Sequence, residues 1–129
     1  MNPDNQYQPQ SEFISQINDR LGDRLFDPEL TVKKILRLVF MSRTDFHRKL
    51  KRETGLSATA YIRRERLTRA RKLLLDNSQT PVNQVSQAVG FANSSYFSKK
   101  FKELFGCGPG ELKKQSRKVL KRDAPINCD

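Results

Sequence analysis

Residues 81–109 read PVNQVSQAVGFANSSYFSKKFKELFGCGP, and this stretch decides the fold. Its apolar residues fall at helical spacing on either side of a glycine, with Val82, Val85 and Val89 before it and Phe97, Phe101 and Phe105 after it. Gly90 and Gly106 are residues that commonly end helices, and Asn93 is a favourable N-cap. The stretch therefore predicts a short helix, a tight turn and a second amphipathic helix that glycine stops.

An earlier part of the chain repeats this pattern. At an offset of 50 residues, Val32, Ile35, Val39 and Met41 correspond to Val82, Val85, Val89 and Phe91. After one inserted residue the offset is 51, which pairs Phe46 with Phe97, Arg48 with Lys99, Lys49 with Lys100, Leu50 with Phe101, Lys51 with Lys102 and Gly55 with Gly106. The chain thus carries two helix-turn-helix copies, and a long helix at residues 58–75 joins them.

The second helix of each copy has one apolar and one cationic side. At about 100° per residue, Thr44, Arg48 and Lys51 lie opposite the apolar edge of the first, and Ser95, Lys99 and Lys102 take the same positions on the second. A solvated charged face is the ordinary explanation for one such helix. Two in register favour groove binding, because the DNA major groove admits an α-helix.

The remaining sequence predicts an all-α protein of about seven helices. The first helix is capped by Ser11 and continues through Leu25, the second covers Thr31–Phe40, and the third runs from Ser42 to Gly55. The fourth runs from Ser57 to about Asp76, and the fifth is capped by Thr80 and ends at Gly90. The sixth runs from Asn93 to Gly106, and the last from Pro109 to about Lys118. Val32, Ile35, Leu36, Val39 and Phe40 are predicted to share the packing side of the second helix. The predicted organisation is a disordered lead-in at 1–10, a first helix-turn-helix subdomain at 11–56, a linker helix at 57–77, a second subdomain at 78–118 and a tail at 119–129.

The charge is concentrated in the folded middle of the chain. The net charge is +11, and residues 31–75 alone carry 14 basic and 3 acidic side chains, whereas residues 1–30 carry 2 and 6. Such a field attracts polyanions, and nucleic acid is the commonest polyanion in a cell. Basic surfaces also suit acidic membranes and acidic proteins, so charge alone leaves these partners open.

Several other kinds of chemistry are disfavoured. No apolar run approaches the roughly 18 residues of a membrane span, and the amino terminus lacks a signal peptide, so we expect a cytoplasmic protein. Two cysteines and a single histidine, His47, cannot build a zinc cage, and a disulfide framework is not expected. Cys107 is predicted to pack, and no cofactor, metal or catalytic residue is predicted.

Residues 30–112 resemble the DNA-binding domain of AraC/XylS-type bacterial transcription regulators. The resemblance is most specific over residues 81–109, with an apolar helix, Gly-Phe, Tyr-Phe, basic residues, Phe-Gly and Pro. It extends to MSRTDFHRKLKRETGLSATAYIRRERLTRARKLL at residues 41–74. The chain departs from the family, which usually has Ala and Gly at Leu36 and Phe40 and other residues at Gly108, Gly110 and Leu112.

The resemblance implies a set of DNA-contacting residues. Those facing base edges would be Thr44, His47 and Arg48 in the first copy and Ser94, Ser95, Ser98 and Lys99 in the second. The residues assigned to phosphates are Arg43, Lys51, Arg52 and Lys102. Arg48 and Lys99 are the main candidates for reading bases, although a phosphate contact explains Lys99 equally well.

The predicted function is sequence-specific binding of duplex DNA by a transcription regulator, with one recognition helix in each of two successive major-groove segments of an asymmetric site. The resemblance further implies activation through RNA polymerase, a nucleoid location and, in a longer parent protein, an N-terminal sensor or receiver domain. Two-component hybrid regulators carry such output domains, and a stand-alone regulator controlled by its abundance is the other interpretation of the sequence. The alternative is a basic structural or RNA-associated protein that binds polyanions without sequence preference, and an enzyme is not expected.

Overall fold

The computed structural model describes residues 12–77 and 79–122, with side chains through residue 115. This part of the chain is entirely helical, with seven α-helices and one 3-10 helix, as predicted. The α-helices are α1 (Glu12–Leu21), α2 (Val32–Val39), α3 (Arg43–Thr54), α4 (Ala58–Asp76), α5 (Val82–Ala88), α6 (Ser94–Phe105) and α7 (Pro109–Arg122), and the 3-10 helix is Gly22–Phe26. The predicted lead-in, the Ser11 cap and the end of the tail at 123–129 lie outside the described residues.

The chain forms two compact units, and each unit consists of two separate stretches of the sequence. Among the described residues, unit 1 comprises residues 12–24 together with Thr31–Tyr61, and unit 2 comprises Leu25–Leu30 together with those from Ile62 onward. One boundary therefore falls inside α4. The segment Leu25–Leu30 precedes α2 in sequence but belongs to unit 2.

Unit 1 is a small helical core built on α1. This helix packs against α2 and α3, and the fully buried residues that fill the core are Ile17, Leu21, Ile35, Phe46, Leu50 and Tyr61. Phe13 meets the Phe46 ring at a centroid distance of 6.3 Å. The Tyr61 hydroxyl donates to Asn18 Oδ1 at 2.7 Å, which satisfies the polar end of this buried ring.

Unit 2 has an aromatic core. Ring centroids lie 5.2 Å apart for Phe91–Phe97, 5.7 Å for Phe97–Phe101 and 4.7 Å for Phe101–Phe105, within the range of favourable aromatic pairs. The cluster also contains Leu67, Ala70, Leu74, Val85, Val89, Cys107 and Leu112. Cys107 packs here as predicted, and it takes part in a disulfide bond.

The helix ends that local chemistry determines are where the sequence placed them. Ser42 Oγ accepts from the Asp45 N–H at 3.2 Å, Ser57 Oγ from Ala60 N–H at 3.2 Å, and Asn93 Oδ1 from Tyr96 N–H at 2.9 Å. Gly55 and Gly106 end α3 and α6 with φ of 76° and 84°. These five caps are confirmed.

Other helix boundaries were predicted wrongly. Helix α1 ends at Leu21 because Gly22 has a φ of 50°, and the buried Leu25 belongs to the 3-10 turn. Pro81, not Thr80, is the N-cap of α5, and α5 ends at Ala88 before Gly90. Helix α7 continues to Arg122, past the predicted end at about Lys118. At its start the carboxylate of Glu111 accepts the Gly108 N–H at 3.1 Å.

Phe40 is the clearest departure on the packing face of α2. The prediction put its ring in the core, yet the residue is 79% exposed and adopts a left-handed φ of 56°. Because the backbone leaves the helical conformation after Val39, the Phe40 side chain points outward. The Arg20 guanidinium lies 5.1 Å from the centre of the ring, which gives a cation–π contact in place of core packing.

Arg66 organises the turn of the second copy within unit 2. Its guanidinium donates to the carbonyl oxygens of Leu25 at 2.7 Å, Asp27 at 2.6 Å and Gly90 at 3.3 Å. Burial lowers the pKa of this guanidinium, and the Asp27 carboxylate raises it by a smaller amount. Three carbonyl acceptors compensate the half-buried cation for its lost water.

Candidate nucleic-acid interface

Helix α3 is anchored by its apolar side and presents its polar side to solvent. Phe46 and Leu50 are buried, whereas Thr44, Arg48 and Lys51 are exposed. The Ser42 cap satisfies an amide at the start of the helix. The predicted division of this helix into a core side and an open side is therefore present in unit 1.

Helix α6 has the same arrangement in unit 2. At the offset of 51 residues, each of its twelve positions has the same burial class as its counterpart in α3. Phe97 and Phe101 are buried, and Ser95, Lys99 and Lys102 are exposed. The repeat thus conserves which positions of the helix are available to a ligand.

All eleven residues predicted to contact DNA lie on these two helices. Nine are exposed, namely Arg43, Thr44, Arg48, Lys51, Arg52, Ser94, Ser95, Lys99 and Lys102, and two are half-buried, His47 and Ser98.

Arg48 is held by an acidic neighbour on the same helix. Its Nη2 lies 2.6 Å from Asp45 Oδ1, and the two side chains are 66% and 52% exposed. Exposed pairs of this kind contribute about 0.2–1 kcal/mol. The guanidinium is therefore oriented along the open side of α3 but can exchange this partner at small cost.

His47 is oriented by its own helix. Nδ1 lies 3.0 Å from the Arg43 carbonyl oxygen, and because a carbonyl only accepts, Nδ1 must be the protonated nitrogen. The neutral ring then offers Nε2 as an acceptor. The ring also meets the Phe46 ring edge-on at 5.8 Å, so packing restricts its position.

Two residues of these helices were missed by the sequence reasoning. Asp45 is not among the predicted site residues, yet its carboxylate is the partner of Arg48. Tyr96 is 43% exposed, packs on Phe91 at 6.3 Å and lies under Lys100 Nζ at 5.7 Å. The spacing of Asp45 and Arg48, three residues apart on a helix, could have identified the first.

Two negative observations apply to the described part of the chain. No helix there is long and apolar enough to cross a membrane. Within residues 12–77 and 79–122, no three His, Cys, Asp or Glu side chains lie together as a metal site would require.

Comparison with known proteins identifies the family. A family model described as a helix-turn-helix domain matches residues 35–115, which is more than half of the chain. The Msm operon regulatory protein of Streptococcus mutans is 32% identical over 103 residues, covering 80% of this chain and 36% of that protein. The chain belongs to the AraC/XylS family.

Another AraC/XylS relative is the transcriptional activator RhaS of Escherichia fergusonii. It is 40% identical over 73 residues, covering 57% of this chain and 26% of RhaS. The aligned regions span between 26% and 54% of the length of the curated relatives. The match therefore concerns the helix-turn-helix part of AraC/XylS regulators.

The fold also agrees with that of a solved DNA-binding domain. The DNA-binding domain of AdpA, determined in complex with a target DNA, superimposes with a TM-score of 0.71 and covers 89% of this chain and 100% of that one. At 20% sequence identity this likeness shows the fold alone. The bound DNA is a property of AdpA.

Proposed function

We propose that this chain binds duplex DNA at an asymmetric site and regulates transcription, with α3 and α6 as recognition helices in successive major-groove segments. The observation that carries the proposal is the matching burial pattern of α3 and α6, which leaves one polar, cationic side open on each. Because the two open sides differ in sequence, the two half-sites should differ as well. About one helical turn, roughly 10 bp, should separate them.

Base reading is assigned to the side chains on the open sides. In unit 1 these are Thr44, His47 and Arg48, and in unit 2 they are Ser94, Ser95, Ser98 and Lys99. The Arg48 guanidinium has the donors to reach guanine N7 and O6 together. His47, with Nε2 as an acceptor, is suited to a donor such as an exocyclic amine of adenine or cytosine.

Phosphate contacts are assigned to Arg43, Lys51, Arg52 and Lys102. All four are exposed cations on α3 or α6. Such contacts would provide affinity and fix the register, while the base edges provide sequence preference. Arg52 Nε lies 3.5 Å from Glu53 Oε2, an exposed pair that a phosphate could replace.

The wider role follows from family membership. AraC/XylS relatives include named activators, which supports activation of transcription, with RNA polymerase as the expected protein partner. Because the match spans only part of the relatives, a sensor or receiver domain is proposed for the parent protein. A regulator of this kind would act on the nucleoid in the cytoplasm, and neither an enzyme activity nor a cofactor is proposed.

Selection of bound sequences from a random duplex library tests the function. We expect an asymmetric motif in two parts. Lys99→Ala should lose preference in one part only, whereas Lys72→Ala, which removes an exposed cation from α4, should leave both parts intact. Absence of any enriched motif would favour the basic, non-specific alternative.

A further inference from the structure

The two helix-turn-helix copies differ in the charge of their first helices. Helix α2 exposes Lys33, Lys34 and Arg37. At the offset of 50 residues, α5 exposes Asn83, Gln84 and Gln87 at the corresponding positions. Three cations in unit 1 thus face solvent where unit 2 has three neutral amides.

The cations of α2 share one side of a helix whose other side is fixed. Ile35 and Val39 are buried in the core of unit 1. Lys33 and Lys34 lie four and three residues before Arg37, spacings that bring side chains together on a helix surface. Thr31 Oγ1 accepts the Lys34 N–H at 3.2 Å and caps the start of the helix.

The same asymmetry extends to the complete helix pairs. Residues 32–54, which contain α2 and α3, carry eight cations and two carboxylates, a net charge of +6. Residues 82–105, which contain α5 and α6, carry three cations and one carboxylate, a net charge of +2. The recognition helices share a pattern of burial, but the electrostatic fields around them are unequal.

We propose that the exposed side of α2, formed by Lys33, Lys34 and Arg37, is a phosphate-binding surface for the DNA backbone, and that the α2–α3 pair makes more of the salt-dependent contact than the α5–α6 pair. This inference rests on the proposed DNA-binding function. In helix-turn-helix complexes the first helix crosses the backbone while the second enters the groove. The exposed side of α2 is therefore placed to meet phosphates, whereas α5 has no charge to offer them.

The physical difference between the two surfaces is release of counterions. A cation that neutralises a phosphate releases a condensed counterion, which adds about 0.9 to the negative slope of log K against log salt concentration. The amides of Asn83, Gln84 and Gln87 can donate hydrogen bonds to a phosphate but neutralise no charge. The α2–α3 pair should consequently hold DNA of any sequence, and the α5–α6 pair should contribute mainly through its recognition helix α6.

Charge removal and charge transplantation test the proposal. One variant carries K33Q, K34Q and R37Q, and a second carries N83K, Q84K and Q87R. The control carries R24Q, K72Q and K114Q, which remove three exposed cations outside the two helix pairs and give the same net charge as the first variant. Circular dichroism verifies folding, and the measurement is the dissociation constant on a scrambled duplex across a salt series.

We expect the α2 variant to lose about two to three units of slope, so that raising salt from roughly 50 to 200 mM weakens it about 40-fold less than the parent. The control should lose less than one unit, and the transplant should steepen the slope. Equal slopes for the α2 variant and the control overturn the proposal. If the parent selects a DNA motif and the slopes are equal, the proposed function stands and only this inference fails; a parent that binds no DNA overturns both.

Discussion

At Arg48, a contact with a base can be distinguished experimentally from a contact with a phosphate. The Arg48 guanidinium lies on the open side of α3 and pairs with the exposed carboxylate of Asp45. If it reads a guanine, Arg48→Ala should lose about 1–3 kcal/mol on the selected site and relax preference at one base pair. Dissociation constants on the selected site and on scrambled duplex measure both effects.

Lys51 is the matched control for Arg48, since it is also an exposed cation of α3. Lys51→Ala should weaken both duplexes alike and reduce the salt slope by about one unit. If Arg48→Ala lowered both affinities by one common factor, Arg48 would be a phosphate contact. Sequence preference would then have to come from Thr44, His47 or DNA shape.

Glu65 gives a pH-dependent prediction. Burial raises the pKa of this carboxyl, and the neighbouring Arg64 guanidinium lowers it by a smaller amount. The folded chain therefore holds the proton more tightly, and this stabilisation is complete below the ordinary pKa of 4.5 and is lost as pH rises through the higher folded-state value. Glu65→Gln should raise the melting temperature at pH 7 by about 2–4 °C and change it little at pH 4.

Glu53→Gln makes the same change of charge at an exposed position and serves as the control. Its effect on the melting temperature should be small at both pH values, because Glu53 is exposed and pairs only loosely with Arg52. A Glu65→Gln variant that melts at the parent temperature at pH 7 would show that the burial of Glu65 has no energetic consequence.

At the scale of elements, the glycines that end or follow helices are not equivalent. Gly55 has a φ of 76° and nothing within 4 Å of an added Cβ, so Gly55→Ala should cost about 1–2 kcal/mol of backbone strain. At Gly90 the φ is 103°, and a Cβ would lie 2.8 Å from Arg66 Nε and 2.9 Å from the Phe26 carbonyl oxygen. Gly90→Ala should therefore cost roughly 2–4 kcal/mol.

Urea unfolding of both glycine variants measures this difference. Combining Gly90→Ala with Arg66→Ala should show coupling, because the second change removes one of the two clashing groups. Equal costs at Gly55 and Gly90 would show that the contact around Gly90 relaxes freely.

The elements also show what the sequence could and could not predict. Ser42, Asn93 and Gly106 were placed correctly because a cap depends on groups within a few residues. Phe40 was misplaced because periodicity does not reveal where a chain leaves its helix. The carbonyl partners of Arg66 are 24 to 41 residues away in sequence, and no local pattern encodes such contacts.

For the candidate site, the sequence predicted which sides of α3 and α6 are exposed but not the side-chain contacts on them. The open sides of α3 and α6 follow from helical periodicity alone, since their buried residues repeat at 46, 50, 97 and 101. The pairing of Arg48 with Asp45 depends on side-chain conformation, and the exposure of Tyr96 depends on the packing of unit 2.

For the whole molecule, the net charge of +11 predicts that DNA affinity falls steeply as the salt concentration rises. With about 5 to 8 phosphates neutralised, log K against log salt concentration should have a slope of about −5 to −7. Titrations on a short duplex at several salt concentrations measure it. A slope near zero would contradict an electrostatic contribution to binding.

Unit 2 is discontinuous in sequence, and this limits how the gene can be divided or recombined. A fragment that begins after unit 1 lacks Leu25–Leu30, so Arg66 would lose the carbonyl acceptors of Leu25 and Asp27 and keep only that of Gly90. Exchanging all of unit 2 between related regulators would therefore require three crossovers, one on each side of Leu25–Leu30 and one inside α4. A chimera joined only within α4 would take Arg66 from one regulator and the carbonyl oxygens of Leu25 and Asp27 from the other.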